Sequence, residues 1–267
     1  MSNEKVLIDA DILCYRIGFA YENETNDRLV RWQVDRTING ICDTLGVTDH
    51  QCYLTSTDKS NFRYQVDSTY KSNRTSPRPK WFGVIREHLI NDYQAEVVTG
   101  MEADDAIGIE ATKRKAGTTI FIASIDKDLL QIPGHHFNFV SKTHSQISVY
   151  EGDTMLGKQL LTGDITDGVK SLGGIGRIKA ERILEGTTTR NDILQRVQAT
   201  FISHYEKPKN NLSKDKTLWQ KELRRVADLI FIRRFDEPRL ILPFEKEKLE
   251  LDLKSTDQDL KPDLQKP

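Results

Sequence analysis

Short apolar runs alternate with amphipathic stretches over the first 150 residues. The runs typical of buried strands lie at 5–9, 51–55, 95–99 and 118–124, with a strand pair over 136–150. The helical patterns lie at 11–20, 34–46, 81–93, 103–115 and 153–161. Strands that alternate with helices form parallel sheets with crossover connections. We therefore expect an α/β fold with a mostly parallel, twisted sheet flanked by helices.

After Gly163 the pattern changes to glycine-rich turns and helices. Segment 217–234 carries an apolar stripe, which predicts a helix lying on a core. Before it, 205–217 is a basic polar stretch that predicts a loop. The predicted division is an α/β unit at 1–162 with a short basic segment at 63–82, a helical unit at 163–251 and a flexible tail at 252–267.

Acidic residues follow most of the predicted strands. They are Asp9, Asp58, Glu102, Asp104, Asp105, Asp126, Asp128, and then Asp164 and Asp167 after Gly163. The carboxyl ends of parallel strands meet at one edge of the sheet, which is where open α/β sheets place their sites. So many like charges repel one another and need cations to compensate them. Oxygen ligands without histidine or cysteine partners favour Mg²⁺ or Mn²⁺. The pattern predicts an acidic site for two divalent ions.

Some of these groups of acids, taken one at a time, also have an explanation that involves no metal. Acids at 102–105 can stabilise a helix N-terminus, and Asp126 can cap a helix. Asp9-Ala10-Asp11 also matches phosphatases of the haloacid dehalogenase type, in which the first aspartate is the nucleophile. Asp164 and Asp167 are spaced one residue short of the usual pattern of those enzymes, and that alternative leaves the acids at 102–105 unexplained.

A glycine pair at 174–176 marks the most specific local motif. Val169, Leu172, Gly174, Ile175, Gly176, Ala180 and Ile183 fit a helix–hairpin–helix pattern position by position. The glycines permit a tight turn with free backbone N–H groups. Such hairpins bind the sugar-phosphate backbone without reading bases. The alternative is an ordinary glycine-rich connection between two helices.

Composition and charge distribution indicate the class of protein and its cellular environment. Hydrophobic residues make up 37% and charged residues 30% of 267 residues, with a net charge of −1. The basic stripe at 59–80 contains six Lys or Arg and a single acid, an arrangement that suits phosphates near bound metals. No apolar run approaches the roughly 20 residues of a membrane span. Three unpaired cysteines and an N-terminus without a signal peptide favour a cytoplasmic protein with reduced thiols.

Together, these motifs resemble the flap endonuclease/5′→3′ exonuclease family, most closely its short members from tailed bacteriophages, which have RNase H-type activity. The motifs in order are Leu7-Ile8-Asp9-Ala10, Thr57-Asp58-Lys59, Tyr70-Lys71-Ser72-Asn73-Arg74, Glu102-Ala103-Asp104-Asp105, Ser124-Ile125-Asp126-Lys127-Asp128-Leu129, Gly163-Asp164-Ile165-Thr166-Asp167 and the hairpin. The resemblance covers the chain to about residue 185 and implies a PIN/FEN-like fold with a helix–hairpin–helix (H3TH) module.

The resemblance also implies roles for individual residues. Asp9, Asp58, Glu102, Asp104, Asp126 and Asp128 match metal ligands, with Asp105, Asp164 and Asp167 as further or outer-sphere ligands. Lys71 and Arg74 match catalytic residues at the scissile phosphate. Implied DNA contacts come from Arg63, Lys71, Arg74, Gly174, Gly176 and Lys179. A potassium ion is expected at the backbone carbonyls of Leu172 and Gly174. Asp11 falls outside the implied site.

The expected activity is Mg²⁺-dependent hydrolysis of duplex or flapped DNA from 5′ ends, by a monomer in the cytoplasm of a host cell, with RNA:DNA hybrids as further substrates. Two departures from the family pattern stand out: Gly168 replaces the usual Asn, and the stretch before Trp81 is short, which predicts a reduced arch. A non-catalytic, structure-specific DNA-binding protein on the same fold is the alternative from a different functional class.

Overall fold

The computed structural model describes residues 3–113, 117–207, 210 and 215–247. One sheet contains the strands β1 (Asn3–Asp9), β2 (Asp49–Thr55), β3 (Glu96–Val98), β4 (Thr118–Ala123), β5 (Gly134–Asn138) and β6 (Thr143–Ile147). Their order is β3-β2-β1-β4-β5-β6, and every neighbouring pair is parallel except β5 with β6. The predicted mostly parallel sheet and the closing strand pair are confirmed.

Strand β1 lies at the centre of the sheet and explains the first apolar run. Ile8 aligns with Cys52 of β2 on one side and with Ala123 of β4 on the other. Val6, Leu7 and Ile8 have no exposed surface. Parallel strands are covered on both faces, so they are continuously apolar instead of alternating.

The helices are α1 (Ala10–Ala20), α2 (Asp27–Leu45), α3 (Arg63–Val66), α4 (Phe82–Tyr93), α5 (Ala103–Thr112), α6 (Val149–Thr162), α7 (Arg177–Leu184), α8 (Arg190–Tyr205) and α9 (Leu218–Ile230). Helices α1, α2 and α4 share one core with the sheet, whereas α5 packs on a second core that includes Leu7 and Ile122. A third core joins α6 to α9 and contains Phe201 and Leu223. Among the described residues, every helix falls short of the length and apolarity that a membrane crossing demands.

The connection between α6 and α7 differs in detail from the predicted hairpin. Two short antiparallel strands, β7 (Gly163–Asp164) and β8 (Val169–Lys170), follow α6, and a turn at 172–174 leads to α7. Residues 169–174, which precede Ile175 and Gly176, therefore form a strand and a turn and not a helix. The helix that precedes the hairpin is α6. Ile175 is 9% exposed and packs in the core that α6 and α7 share, as the motif predicts.

Two helix boundaries differ from the predictions for physical reasons. Helix α2 begins at Asp27 instead of residue 34 because the side chain of Asn26 accepts a hydrogen bond from the Arg28 backbone N–H, which caps the helix. Helix α9 ends at Ile230 instead of residue 234, and the carbonyl of Phe231 accepts from the Arg63 side chain.

The division into units stays a prediction. Helix α6, assigned by sequence to the α/β unit, contributes Leu156, Leu160 and Leu161 to the core shared with α7–α9. The predicted tail at 252–267 and six residues of the predicted loop at 205–217 lie outside the described residues.

Candidate active site

Seven of the predicted acids face one another at the carboxyl edge of the sheet. They are Asp9, Glu102, Asp104, Asp126, Asp128, Asp164 and Asp167. Asp9 ends β1, Glu102 caps α5, and Asp104 lies in the first turn of α5. Asp126 and Asp128 follow β4, Asp164 ends β7 at the start of the β7–β8 turn, and Asp167 lies within that turn. Because β1 pairs directly with β4, the acids that follow these two strands come together. We call these seven residues the acidic cluster.

Burial and mutual repulsion act on the acidic cluster. Burial, the Asp11 charge and the Asp126 charge together raise the pKa of Asp9 to about 7. Burial, then the charges of Asp126 and Asp164, raise the pKa of Asp128 to about 8. Burial and three neighbouring acids raise the pKa of Asp104 well above its usual range. A cation placed among these groups would relieve the repulsion.

Two basic side chains already neutralise part of the acidic cluster. Lys71 forms a short ion pair with Glu102 and lies 3.5 Å from Asp167. Arg74 forms a short ion pair with Asp167. Burial lowers the pKa of Lys71, but the charges of Glu102 and Asp167 outweigh that effect, so its pKa is raised and the side chain stays an ammonium ion. The structure thus places both predicted catalytic cations against predicted metal ligands.

Tyr70 is a site residue that the sequence did not identify. Its hydroxyl lies 3.1 Å from Glu102 Oε2 and 2.8 Å from Asp167 Oδ2, so it links an acid of α5 to an acid of the β7–β8 turn. Tyr70 is only 3% exposed and packs in the core that joins α6 to α9. In the sequence, Tyr70 stands in the motif beside Lys71, but the motif assigns it no role.

Two neutral side chains also fix cluster carboxylates. Ser124 Oγ donates to Asp9 Oδ2 at 2.9 Å, and Gln159 Nε2 donates to Asp128 Oδ1 at 2.7 Å. Ser124 belongs to the motif around Asp126 and could have been proposed from it. Gln159 lies on α6, 31 residues from its partner, and no sequence signal points to it.

Arg63 and Asp105 form a buried ion pair with each other. Arg63 is 2% exposed, and it donates to both oxygens of Asp105, at 2.5 and 3.0 Å. It also donates to the backbone carbonyls of Leu229 and Phe231. The prediction that Arg63 contacts DNA is wrong because the side chain lies inside the protein.

The sequence predicts Asp105 as a further or outer-sphere ligand, and its burial argues against direct metal binding, while an outer-sphere role stays a prediction. Asp105 has no exposed surface, and its oxygens also accept from the backbone N–H groups of Glu102 and Arg233. The Arg63 charge offsets the burial of Asp105 and lowers its pKa, so the carboxylate is permanently ionised and paired. This ion pair joins α3 to α5, and the hydrogen bonds from Arg63 to the carbonyls of Leu229 and Phe231 connect both helices to the end of α9.

Asp58 and Asp11 also differ from the expectations. Asp58 is exposed and accepts from the Ser60 backbone N–H, and this turn lowers its pKa. The described contacts do not place Asp58 with the acidic cluster, and its metal role stays a prediction. Asp11, left out of the site, raises the pKa of Asp9 and lies 3.6 Å from Arg86. It accepts from the Thr55 backbone N–H at 3.0 Å.

The β7–β8 turn explains the departure at residue 168. Gly168 has a φ of +72°, a left-handed conformation that glycine adopts freely and that asparagine tolerates better than most residues. Gly168 and the Asn of the family pattern therefore satisfy the same backbone requirement. Asp164 Oδ1 accepts from the backbone N–H groups of Thr166 and Asp167, at 2.6 and 3.3 Å, which fixes the turn.

The predicted DNA-binding residues of the hairpin are exposed at the start of α7. Gly174, Gly176 and Lys179 all lie on the surface. The Leu172 carbonyl accepts from the Ile175 backbone N–H, and the Gly174 carbonyl accepts from Lys179 Nζ at 3.4 Å. Gly174 and Gly176 are at the surface, whereas Leu172 is only 3% exposed. DNA and potassium binding stay predictions.

Comparison with known families decides the membership of the chain. Residues 4–159 match the family model described as the 5′-3′ exonuclease, N-terminal resolvase-like domain. The chain belongs to this 5′-3′ exonuclease family. The exonuclease is accordingly a hydrolase of the nuclease class, and the family prediction is confirmed. Membership also decides against the phosphatase alternative.

Curated relatives agree with this membership. The exonuclease is 27% identical over 240 residues to a 5′-3′ exonuclease of Mycoplasmopsis pulmonis, which covers 83% of this chain and 80% of that protein. It is 32% identical over 168 residues to a DNA polymerase I of Rhizobium leguminosarum, covering 57% of this chain and 16% of that protein. The chain therefore spans a small part of the polymerase.

Solved structures share the fold of the exonuclease. The bacteriophage T5 D15 protein co-crystallised with metal ions has a TM-score of 0.58 and 17% identity, covering 85% of this chain and 89% of that chain. The catalytic core of Rad2 in complex with DNA substrate has a TM-score of 0.51 and 13% identity, covering 100% and 88%. At these identities the likeness shows the fold alone.

The donor chemistry of the exonuclease site suits hard divalent cations, because every acid in the acidic cluster offers carboxylate oxygen. Within residues 3–113, 117–207, 210 and 215–247, however, no three acidic, histidine or cysteine side chains converge closely enough to hold one ion. Lys71 and Arg74 are paired with two of the candidate ligands. Metal binding would therefore have to compete with these two cations.

Proposed function

We propose that this exonuclease is a divalent-metal-dependent 5′→3′ exonuclease and structure-specific flap endonuclease. It would hydrolyse phosphodiester bonds of duplex or flapped DNA from 5′ ends, with RNA in RNA:DNA hybrids as a further substrate. One observation carries the proposal: the acidic cluster brings together carboxylates from four separate segments, and burial and repulsion raise the pKa of several of them. A stable fold tolerates such repulsion where cations bind.

The proposed metal ligands are the seven residues of the acidic cluster. Two Mg²⁺ ions, or Mn²⁺ in their place, would supply an activated water and stabilise the leaving oxygen. Tyr70, Ser124 and Gln159 would hold four of the ligands in position through the hydrogen bonds that they make. We do not include Asp105, whose oxygens are committed to Arg63 and to backbone N–H groups.

Lys71 and Arg74 are the proposed phosphate-contacting residues. Lys71 is 17% exposed and Arg74 is 48% exposed, so both can turn from their carboxylates towards a substrate at the mouth of the site. An ammonium and a guanidinium ion there would neutralise charge that develops on the phosphate during hydrolysis. Because Lys71 stays protonated, this role does not depend on proton transfer from it.

The hairpin before α7 is proposed to hold the duplex. Gly174 and Gly176 present backbone atoms without side chains, and Lys179 adds a positive charge beside them. Contacts of this kind fix the position of a duplex and carry no base specificity. A potassium ion at the carbonyls of Leu172 and Gly174 belongs to the same proposal, and it would compete with Lys179 for the second carbonyl.

Asp126→Asn and Asp128→Asn test the proposal. Each variant should bind a 5′-labelled flap substrate but lose at least about 100-fold in cleavage rate with Mg²⁺, because a ligand charge is removed from the metals. The wild type should be inactive in EDTA. Wild-type cleavage rates in both variants would disprove the metal-site assignment. DNA binding without cleavage by the wild type in Mg²⁺ and in Mn²⁺ would instead support the non-catalytic alternative.

A further inference from the structure

The basic segment 71–74 is attached to the β7–β8 turn by hydrogen bonds to backbone carbonyls. The Lys71 backbone N–H donates to the Asp167 carbonyl at 2.9 Å. Asn73 Nδ2 lies 2.8 Å from the Ile165 carbonyl and 3.2 Å from the Thr166 carbonyl. The segment that carries Lys71 and Arg74 is thereby joined to the turn that carries Asp164 and Asp167.

Asn73 also covers the glycine of that turn. A Cβ atom at Gly168 would lie 3.2 Å from Asn73 Oδ1, so the asparagine side chain rests directly over this position. Its amide nitrogen therefore donates to the carbonyls of Ile165 and Thr166, while its amide oxygen lies over the space that a side chain at residue 168 would occupy. The three heavy atoms nearest to that Cβ position, apart from those of the residues adjacent to Gly168, all belong to the Asn73 side chain.

We infer that Asn73 is a positioning residue, which keeps Asp164 and Asp167 in register with Lys71 and Arg74. The inference rests on the proposed function, in which the two acids bind metal and the two cations contact phosphate. A displacement of about 1 Å between such groups can reduce turnover on the order of 100-fold. Asn73 acts only through these neighbours, so it is not itself a catalytic residue.

Because Asn73 lies at the surface, its effect on activity can be measured without a large change in the stability of the protein. Asn73, Ile165 and Thr166 are exposed, and Ile165 is 91% exposed. Water can therefore replace the lost amide at both carbonyls, and removing the side chain leaves no buried group unsatisfied. The core packs without Asn73. Its loss should loosen the turn without unfolding the protein.

Asn73→Ala should lower kcat/KM on a 5′-flap substrate by about 10- to 100-fold, with a Tm within about 2 °C of the wild type. Ser72→Ala is the matched control, because Ser72 is an exposed neighbour outside the amide contacts, and it should match the wild type. Asn73→Asp keeps the size but removes the donor, so it should be as slow as Asn73→Ala. Wild-type activity in Asn73→Asp would overturn the inference.

A double-mutant cycle that combines Asn73→Ala with Lys71→Ala measures whether the two residues act together on the cleavage rate. A purely local role of Asn73 would give no coupling between them. If Asn73 acts through the register of Lys71 and Arg74, the double variant should lose at least about threefold less than the product of the two single losses, because the part that acts through Lys71 is already gone. Independent, multiplicative losses would overturn the inference.

Amide hydrogen exchange tests the attachment without any turnover. In Asn73→Ala, the amides of Lys71 and of 165–168 should exchange at least about fivefold faster than in Ser72→Ala, with unchanged exchange in β1. Equal protection in the two variants would overturn the inference. A wild type that cleaves no substrate would remove the proposed function, while the exchange result would still decide whether Asn73 holds the turn.

Discussion

Replacing Asp105 by asparagine removes the negative charge that faces Arg63 inside the protein. Both Asp105 oxygens accept from the guanidinium group, and neither side chain has more than 3% exposed surface. Removing one partner of a buried ion pair costs about 3–5 kcal/mol, because the other charge loses its compensation. Glu102 Oε2, 3.7 Å from Arg63 Nη1, stays as a more distant partner and places the expected cost at the lower end of this range. We expect Asp105→Asn to lower the free energy of unfolding by about 3 kcal/mol, and the Tm by at least roughly 6 °C.

The same chemical change at Asp128 should act in the opposite direction. Burial and the charges of Asp126 and Asp164 raise the pKa of Asp128 to about 8, so its ionised form is disfavoured in the folded protein. Each unit of such a rise corresponds to about 1.4 kcal/mol. Because the repulsion is shared among several acids, we expect Asp128→Asn to stabilise the metal-free protein by about 1–3 kcal/mol at pH 8.

The two effects should also depend differently on pH. A raised carboxyl pKa means that the folded protein binds more protons than the unfolded chain, so stability is lost as pH rises towards the folded pKa. The gain from Asp128→Asn should therefore be small at pH 5 and largest at pH 8. The pKa of Asp105 is lowered, so its contribution is complete above the unfolded pKa, and the loss in Asp105→Asn should be constant from pH 5 to pH 8.

Urea unfolding in EDTA, followed by tryptophan fluorescence at pH 5 and pH 8, measures all of these quantities. Asp58→Asn is the matched control, because Asp58 is exposed and bonded only within its own turn, and it should change stability by no more than about 0.5 kcal/mol. A destabilised Asp128→Asn at pH 8, or an Asp105→Asn variant as stable as the wild type, would refute the electrostatic reasoning.

Three further predictions address the site. Lys71→Ala should lower the single-turnover cleavage rate by about 100- to 1,000-fold and weaken DNA binding, measured by fluorescence anisotropy, by less than about tenfold; equal losses would reduce Lys71 to a general phosphate contact. Gly168→Ala should lose about 1–2 kcal/mol in urea unfolding because of its φ of +72°, and Gly168→Asn should lose less; equal losses would contradict the left-handed explanation. Mn²⁺ binding at pH 7 should release protons from Asp9 and Asp128, because burial and neighbouring acids raise their pKa values to about 7 and 8. The heat of Mn²⁺ binding measured by calorimetry should therefore differ between buffers of different ionisation enthalpy. Identical heats would contradict the predicted proton release.

The sequence by itself determined the fold class and the edge of the sheet at which the acids gather. Apolar runs such as Val6-Leu7-Ile8 are continuous because a central parallel strand is covered on both faces, and this requirement is local enough to see in the sequence. The acid after each run then follows from the geometry of parallel strands. Strand positions and most helix positions could be predicted for this reason.

Only the tertiary structure decided which charged residues are available to a ligand. In the sequence, Arg63 belongs to the same basic segment as Lys71, and Asp105 belongs to the same motif as Asp104. The structure shows that Arg63 and Asp105, which are 42 residues apart, neutralise each other inside the protein. Tyr70 stands in a motif that assigns it no role, and Gln159 stands in none. Both acquire their roles from carboxylates that folding places beside them. The sequence shows the sign of each charged side chain. Burial and ion pairing depend on neighbours that are distant along the chain, and these two properties decide whether a charged side chain stabilises the fold or can bind a ligand.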